Sequence, residues 1–196
     1  MSRLFGIEIE VEGVILSDGD SIIEGTPFYW TEDGSLRNDG IEFISYPLKE
    51  TKLIRNTKTL LERLEGYGAD FSDRCSIHIH VSDKRIEKDP KGILKDYLFL
   101  EDEFFNLFPE RRGSNFCIPI WDLSYIPYLN EWSKYLAINF KPFFDGRGTV
   151  EFRHGAGTFD INKIKDFIKL INRVLDGDTK SSTIKDEDID RFIGDI

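Results

Sequence analysis

Three separate stretches of the chain, FGIEIEVEG (5–13), SIHIHVS (76–82) and TVEFRHG (149–155), alternate apolar with ionisable residues. A period of two belongs to a strand whose successive side chains point to opposite faces, so each stretch needs a sheet with one dry side and one polar side. In the first, Ile7, Ile9 and Val11 enter the core while Glu8, Glu10 and Glu12 line up opposite. The segment GIEFIS adds Glu42, SIHIHVS adds His78 and His80, and the third stretch adds Glu151 and Arg153 between Val150, Phe152 and His154. If these strands are neighbours, one sheet face gathers carboxylates, two imidazoles and a guanidinium.

The rest of the chain supplies elements to cover the dry face. A first strand is expected over 3–16, followed by a polar region over 17–40 that holds an aromatic strand at Phe28 to Thr31 and a turn at Asp33-Gly34-Ser35. A third strand runs from Gly40 to Tyr46 and stops at Pro47. Leu53, Ile54, Thr57, Leu60, Leu61 and Leu64 share one side of a helix over 50–65 that Gly66 and Gly68 close, and a second helix over 93–108 ends at Pro109. Residues 110–147 are rich in Pro, Tyr and Trp, with a helix expected near 129–138. Ile161, Ile164, Phe167, Ile168, Ile171 and Val174 mark a further helix capped by Thr158 or Asp160. From Asp176 to Ile196 the chain is an acidic tail with a short amphipathic helix at 187–193. This order reads as α+β, one domain over 1–196, with helices packed on one face of a mainly antiparallel sheet.

Composition narrows the function. With 40% hydrophobic residues and 16 Phe in 196 residues, the chain can bury a core. Its net charge of −10 argues against a nucleic-acid polymer as partner, which needs clustered Lys and Arg. No run of 18 apolar residues and no export signal is visible, so a cytoplasmic protein without a membrane partner is expected. Cys75 and Cys117 have no metal-knuckle or disulfide spacing.

Any one polar pair is explained by the wet face that antiparallel sheets commonly carry. The set is harder to explain, because like charges side by side on a strand face are unfavourable and carboxylate clusters call for a cation. Glu oxygens suit Mg²⁺ or Mn²⁺, one imidazole among them is compatible with either, and two carboxylates one residue apart can serve two ions, as in phosphoryl-transfer sites. Arg153, Arg111, Arg112 and Arg147 could meet phosphate or carboxylate oxygens, although Arg111 and Arg112 also fit a solvated helix end. A zinc hydrolase built on His78 and His80 is a second reading, without an HExxH or deaminase motif behind it. A binding module that keeps the fold without turnover is a third. No P-loop or dinucleotide fingerprint occurs.

Taken in order, FGIEIE, DGS (33–35), GIEFISYPL (40–48), SIHIHVS, PERRGSNFCIP, KYLAINF and GTVEFRHGAGTFD make a set that resembles the amidoligase family, carboxylate-amine ligases with a glutamine-synthetase-like fold. The resemblance runs from about residue 4 to 175 and rests on the order of the motifs, none being specific alone. It implies a curved half-barrel sheet with helices on its convex face, and ATP-dependent amide or peptide-like bond formation through an acyl phosphate on two or three Mg²⁺ or Mn²⁺ ions. Carried over, Glu8, His78 and Glu151 would hold the metal nearer the transferring phosphate, and Glu10 and Glu42 the metal nearer the acceptor. His80 would approach nucleotide or substrate and Arg153 the phosphoryl group. Arg111 or Arg112, with Asn115 and Asn139, would contact phosphate or substrate. The partners implied are a small-molecule or peptide carboxylate and an amine, and an oligomer is in keeping, because glutamine-synthetase relatives complete sites across subunits. The chain is short for such an enzyme, so substrate selection falls to 17–40 and 110–147.

Overall fold

The computed structural model describes residues 3–37, 40–120 and 134–178. Six strands, β1 Leu4–Val11, β2 Phe28–Glu32, β3 Ile41–Ser45, β4 Ser76–Ser82, β5 Ile138–Asn139 and β6 Val150–Ala156, form one open sheet in the order β2-β3-β1-β4-β6-β5. Every pairing is antiparallel. The helices are α1 Gly19–Ile23, α2 Glu50–Gly66, α3 Lys84–Lys88, α4 Pro90–Leu107 and α5 Ile161–Asp176. The expected α+β layout is therefore present.

Alternation decides which sheet face is dry. Ile7, Ile9, Val11, Phe43, Ile77, Ile79, Val81, Val150 and Phe152 all point to one side and are fully buried. They join Leu53, Leu60 and Leu64 of α2, Leu100 and Phe104 of α4, and Ile164, Phe167 and Ile171 of α5 in a single core cluster. Each such side chain removed from water contributes about 1.5–3 kcal/mol, which holds the long helices on this face. The helix ends follow their sequence signals: Asp160 accepts from the Asn162 amide at 2.8 Å, and Asp89 accepts from the Gly92 amide at 2.9 Å. A Glu101–Tyr97–His154 chain lies under the sheet, with the Tyr97 hydroxyl 2.7 Å from Glu101 and 2.9 Å from His154 Nε2. Burial, then the charge of Arg111, drives the His154 pKa well down, so this ring is neutral.

Several boundaries differ from the sequence reading. The first strand ends at Val11 instead of 16, because Gly13 turns the chain at φ 80° and a 3-10 turn leads into α1. α4 starts at Pro90, earlier than expected, since proline suits the first helical turn behind its Asp89 cap. In the predicted helix 129–138, residues 129–133 lie outside the described residues, while 134–137 form a turn and bridge leading into β5, which takes up residue 138. The helix at 187–193, and the tail from 179 onward, also lie outside them. No helix among the described residues is long and apolar enough to cross a membrane.

β6 carries one extra residue against β4. Ile79 faces Phe152 but Ile77 faces Gly155, so two steps on β4 match three on β6. This bulge sits opposite His78, between Arg153 on the polar face and His154 in the core.

Candidate functional site

On the polar face the registers place side chains from distant parts of the chain in three rows across the sheet. The middle row is Tyr29, Ile44, Glu8 and His78, each opposite the next on the neighbouring strand. To one side lie Gly6, His80, Glu151 and Asn139, and to the other Thr31, Glu42 and Glu10. The sequence-predicted residues Glu8, Glu10, Glu42, His78, His80, Glu151, Arg153 and Asn139 are thus brought onto one surface.

Glu8 is the centre of the cluster. Its Oε2 lies 3.3 Å from His78 Nδ1 and its Oε1 lies 3.0 Å from His80 Nε2. Burial raises its pKa, but hydrogen bonds and charge from His78 and His80 outweigh that and hold the carboxyl well below the usual range. Glu151 is 3.4 Å from His78 Nδ1, pairs with Arg153, and receives the Asn139 side-chain amide at 2.6 Å. Glu42 is set apart: burial, then the charges of Glu8, Glu10 and Asp33, push its carboxyl up to about 8. Burial opposes a charged His80, while Glu8 and then Glu151 raise it above its ordinary value.

Two groups of ligand atoms lie within 4.8 Å of one another, Glu8 with His80 and Glu151, and Glu8 with Glu42 and His78. Glu8 belongs to both, so it could bridge two cations. His80 Nε2 is buried and has no aligned hydrogen bond despite its short contact with Glu8, which leaves a nitrogen facing the carboxylates. Oxygen-rich groups with an imidazole fit Mg²⁺ or Mn²⁺. This partition puts His80, expected against nucleotide or substrate, beside Glu8 and Glu151 in place of His78, adds His78 to the group of Glu42, and leaves out Glu10. The reason is Ser76, whose amide and hydroxyl donate to Glu10 Oε2 at 2.8 and 2.5 Å, and whose Oγ is 2.8 Å from His78 Nε2. Ser76 is a site residue that the sequence reading missed, although it shares the strand parity of His78.

The remaining candidates lie elsewhere. Arg111 is buried and donates to the Arg153 carbonyl at 3.3 Å, so its guanidinium braces the β6 backbone. Arg112 pairs with Asp102 at 2.8 Å and lies over the Phe105 ring. Asn115 is exposed on a turn, and Arg147 is exposed at the end of a π-helical turn over Phe143–Arg147. A groove lined by Glu103, Leu107, Lys169, Leu170 and Arg173 runs between α4 and α5, away from the cluster. No protein-family model matches the chain, and no curated protein matches it.

Proposed function

We propose that this protein is an ATP-dependent carboxylate-amine ligase with a glutamine-synthetase-like, half-barrel arrangement of its sheet. The observation that carries the reading is the shared carboxylate: Glu8 stands in both ligand groups, beside the Glu151–Arg153 pair. Glu8, His80 and Glu151 would hold one divalent ion, and Glu8, Glu42 and His78 a second. Bound Mg²⁺ or Mn²⁺ would neutralise nucleotide phosphate and the charge that develops on a transferring phosphoryl group.

The chain's own residues supply the framework. Asn139 fixes one oxygen of Glu151 and Arg153 the other, so this carboxylate is oriented before any ligand arrives. Ser76 does the same for Glu10. Arg153 offers further N–H donors at the edge of the cluster, where a phosphoryl oxygen can accept them. In the reaction class proposed, a carboxylate oxygen attacks the γ-phosphorus and ADP departs with the bridging electron pair. The amine nitrogen then attacks the acyl carbon, phosphate leaves, and the amine gives up a proton.

Calorimetry of ATP binding with and without Mn²⁺ is the test. ATP should bind weakly alone and at least about tenfold more tightly with Mn²⁺, and Glu8→Gln should abolish that difference. Mass spectrometry of a reaction with ATP, Mg²⁺ and pooled amino acids should then reveal a condensation product alongside ADP. Absence of metal-dependent nucleotide binding by folded protein would leave a binding module, and zinc retained through purification with ATP-independent cleavage would point to a hydrolase.

A further inference from the structure

The hydrogen bonds around Ser76 have only one consistent direction. Ser76 and His78 lie two residues apart on β4, so their side chains share the polar face, and both are buried together with Glu10 of β1. Ser76 Oγ is 2.5 Å from Glu10 Oε2 and 2.8 Å from His78 Nε2, while the Ser76 amide donates to the same Glu10 oxygen at 2.8 Å. A hydroxyl has a single hydrogen to give, and a carboxylate has none. The Ser76 hydrogen therefore goes to Glu10, and the Ser76 oxygen faces His78 as an acceptor.

That direction fixes the ring beside it. His78 Nε2 must donate to Ser76 Oγ, so Nε2 carries a hydrogen. The opposite tautomer would leave either the Ser76–Glu10 contact or the Ser76–His78 contact without a hydrogen, because Ser76 can serve only one of them. Nδ1 is then the variable end of the ring, giving a hydrogen to Glu8 or, without one, offering a lone pair. It looks straight into the carboxylates, 3.3 Å from Glu8 Oε2 and 3.4 Å from Glu151 Oε1.

We propose that Glu10 and Ser76 are positioning residues for a divalent cation at His78: Glu10 takes the Ser76 hydrogen, Ser76 takes the His78 Nε2 hydrogen, and Nδ1 is left as the nitrogen that serves the cation together with Glu8. The assignment rests on the metal half of the ligase reading, and nucleotide plays no part in it. An imidazole that holds a metal ordinarily gives its other N–H to an oxygen that fixes tautomer and ring angle, and here a hydroxyl with a carboxylate behind it fills that place. Glu10, whose row with Glu8 and Glu12 first suggested a ligand, thus acts on the cation through two hydrogen bonds without touching it. Its absence from both groups of converging ligand atoms follows from the same bonds.

The test uses the full chain and metal ions alone. Nitrogen NMR of the histidine rings in Cd²⁺-loaded wild type should show the metal coupling on His78 Nδ1 and a hydrogen on Nε2. In calorimetry, Ser76→Ala should weaken Mn²⁺ binding about 10–100-fold, and Ser76→Thr, which keeps the hydroxyl, should recover most of that loss. Glu10→Gln should weaken binding too, but the double variant Ser76→Ala/Glu10→Gln should be no worse than Ser76→Ala, because both changes cut one relay. Circular dichroism checks folding, and the wild-type coupling decides the matter if a variant does not fold. Metal coupling on His78 Nε2, unaltered Mn²⁺ affinity in folded Ser76→Ala, fully additive losses in the double variant, or no uptake of either ion by folded wild type overturns the relay. Mn²⁺ binding that follows these expectations without any effect on ATP affinity would instead remove the ligase reading and leave the relay standing.

Discussion

With its carboxyl pushed up to about 8, Glu42 keeps a proton in the folded chain that the unfolded chain releases near the ordinary carboxylate value of 4.5. The folded state binds more protons across that window, so this residue's contribution to stability is full below about 4.5 and is lost as pH rises through about 8. His80, raised above its ordinary value by Glu8, declines in the same direction over the upper part of the window. Glu42→Gln should therefore flatten the fall in melting temperature between pH 5 and 9 without abolishing it. At the alkaline end the variant should be roughly 1–3 kcal/mol more stable than wild type, after allowance for solvent screening at a partly open position. A variant whose pH series parallels that of wild type would mean that Glu42 titrates as an ordinary surface acid. The alternating sequence assigned Glu42 its face correctly, but its perturbation comes from Glu8 and Glu10 on another strand, and parity along one strand carries no information about distance to the next.

The bulge in β6 explains much of what was legible in the strands and what was not. Period-two stretches and long amphipathic helices announce themselves, and β1, β3, β4, β6, α2, α4 and α5 all lie where the pattern put them, within a few residues except at the end of β1. α1 and α3, five residues each, are too short to show a period. β5, two residues long, is defined only by its partner across the sheet. The extra residue in β6 was equally invisible: His154 faces the core by the same alternation as Val150 and Phe152, while the bulge beyond Phe152 sets Gly155 opposite Ile77. Gly155 makes this bulge sterically possible, because a Cβ there would stand 2.4 Å from the Ile77 carbonyl oxygen. Gly155→Ala should cost about 1–3 kcal/mol in urea unfolding, as over-packing does elsewhere. It should also weaken Mn²⁺ binding, since the shift propagates to Glu151. Unchanged unfolding and unchanged Mn²⁺ affinity would show that the backbone relaxes at no expense to the cluster.

At the scale of the molecule, the layout of helices on one face of an antiparallel sheet was readable from element order, whereas strand order and the partition of ligands were not. Arg3, ahead of β1, holds Asp83 at 2.9 Å, Asn172 at 2.6 Å and Asp176 at 2.7 Å, so the start of the first strand is fastened to the last helix. A slip of one residue along β1 would drive Glu8 and Glu10 into the Phe and Ile core and expose Ile7 and Ile9, so this fastening and the core enforce the same register. Hydrogen exchange should report that coupling: the amides of Ile9, Ile77, Ile79 and Phe152 should open only with global unfolding, and Arg3→Ala should accelerate them together. Fast, independent exchange in β1 alone would contradict it. Because polar and buried side chains take turns along the same few strands, the ionisable surface possesses no melting transition of its own and comes apart only with the interior beneath it.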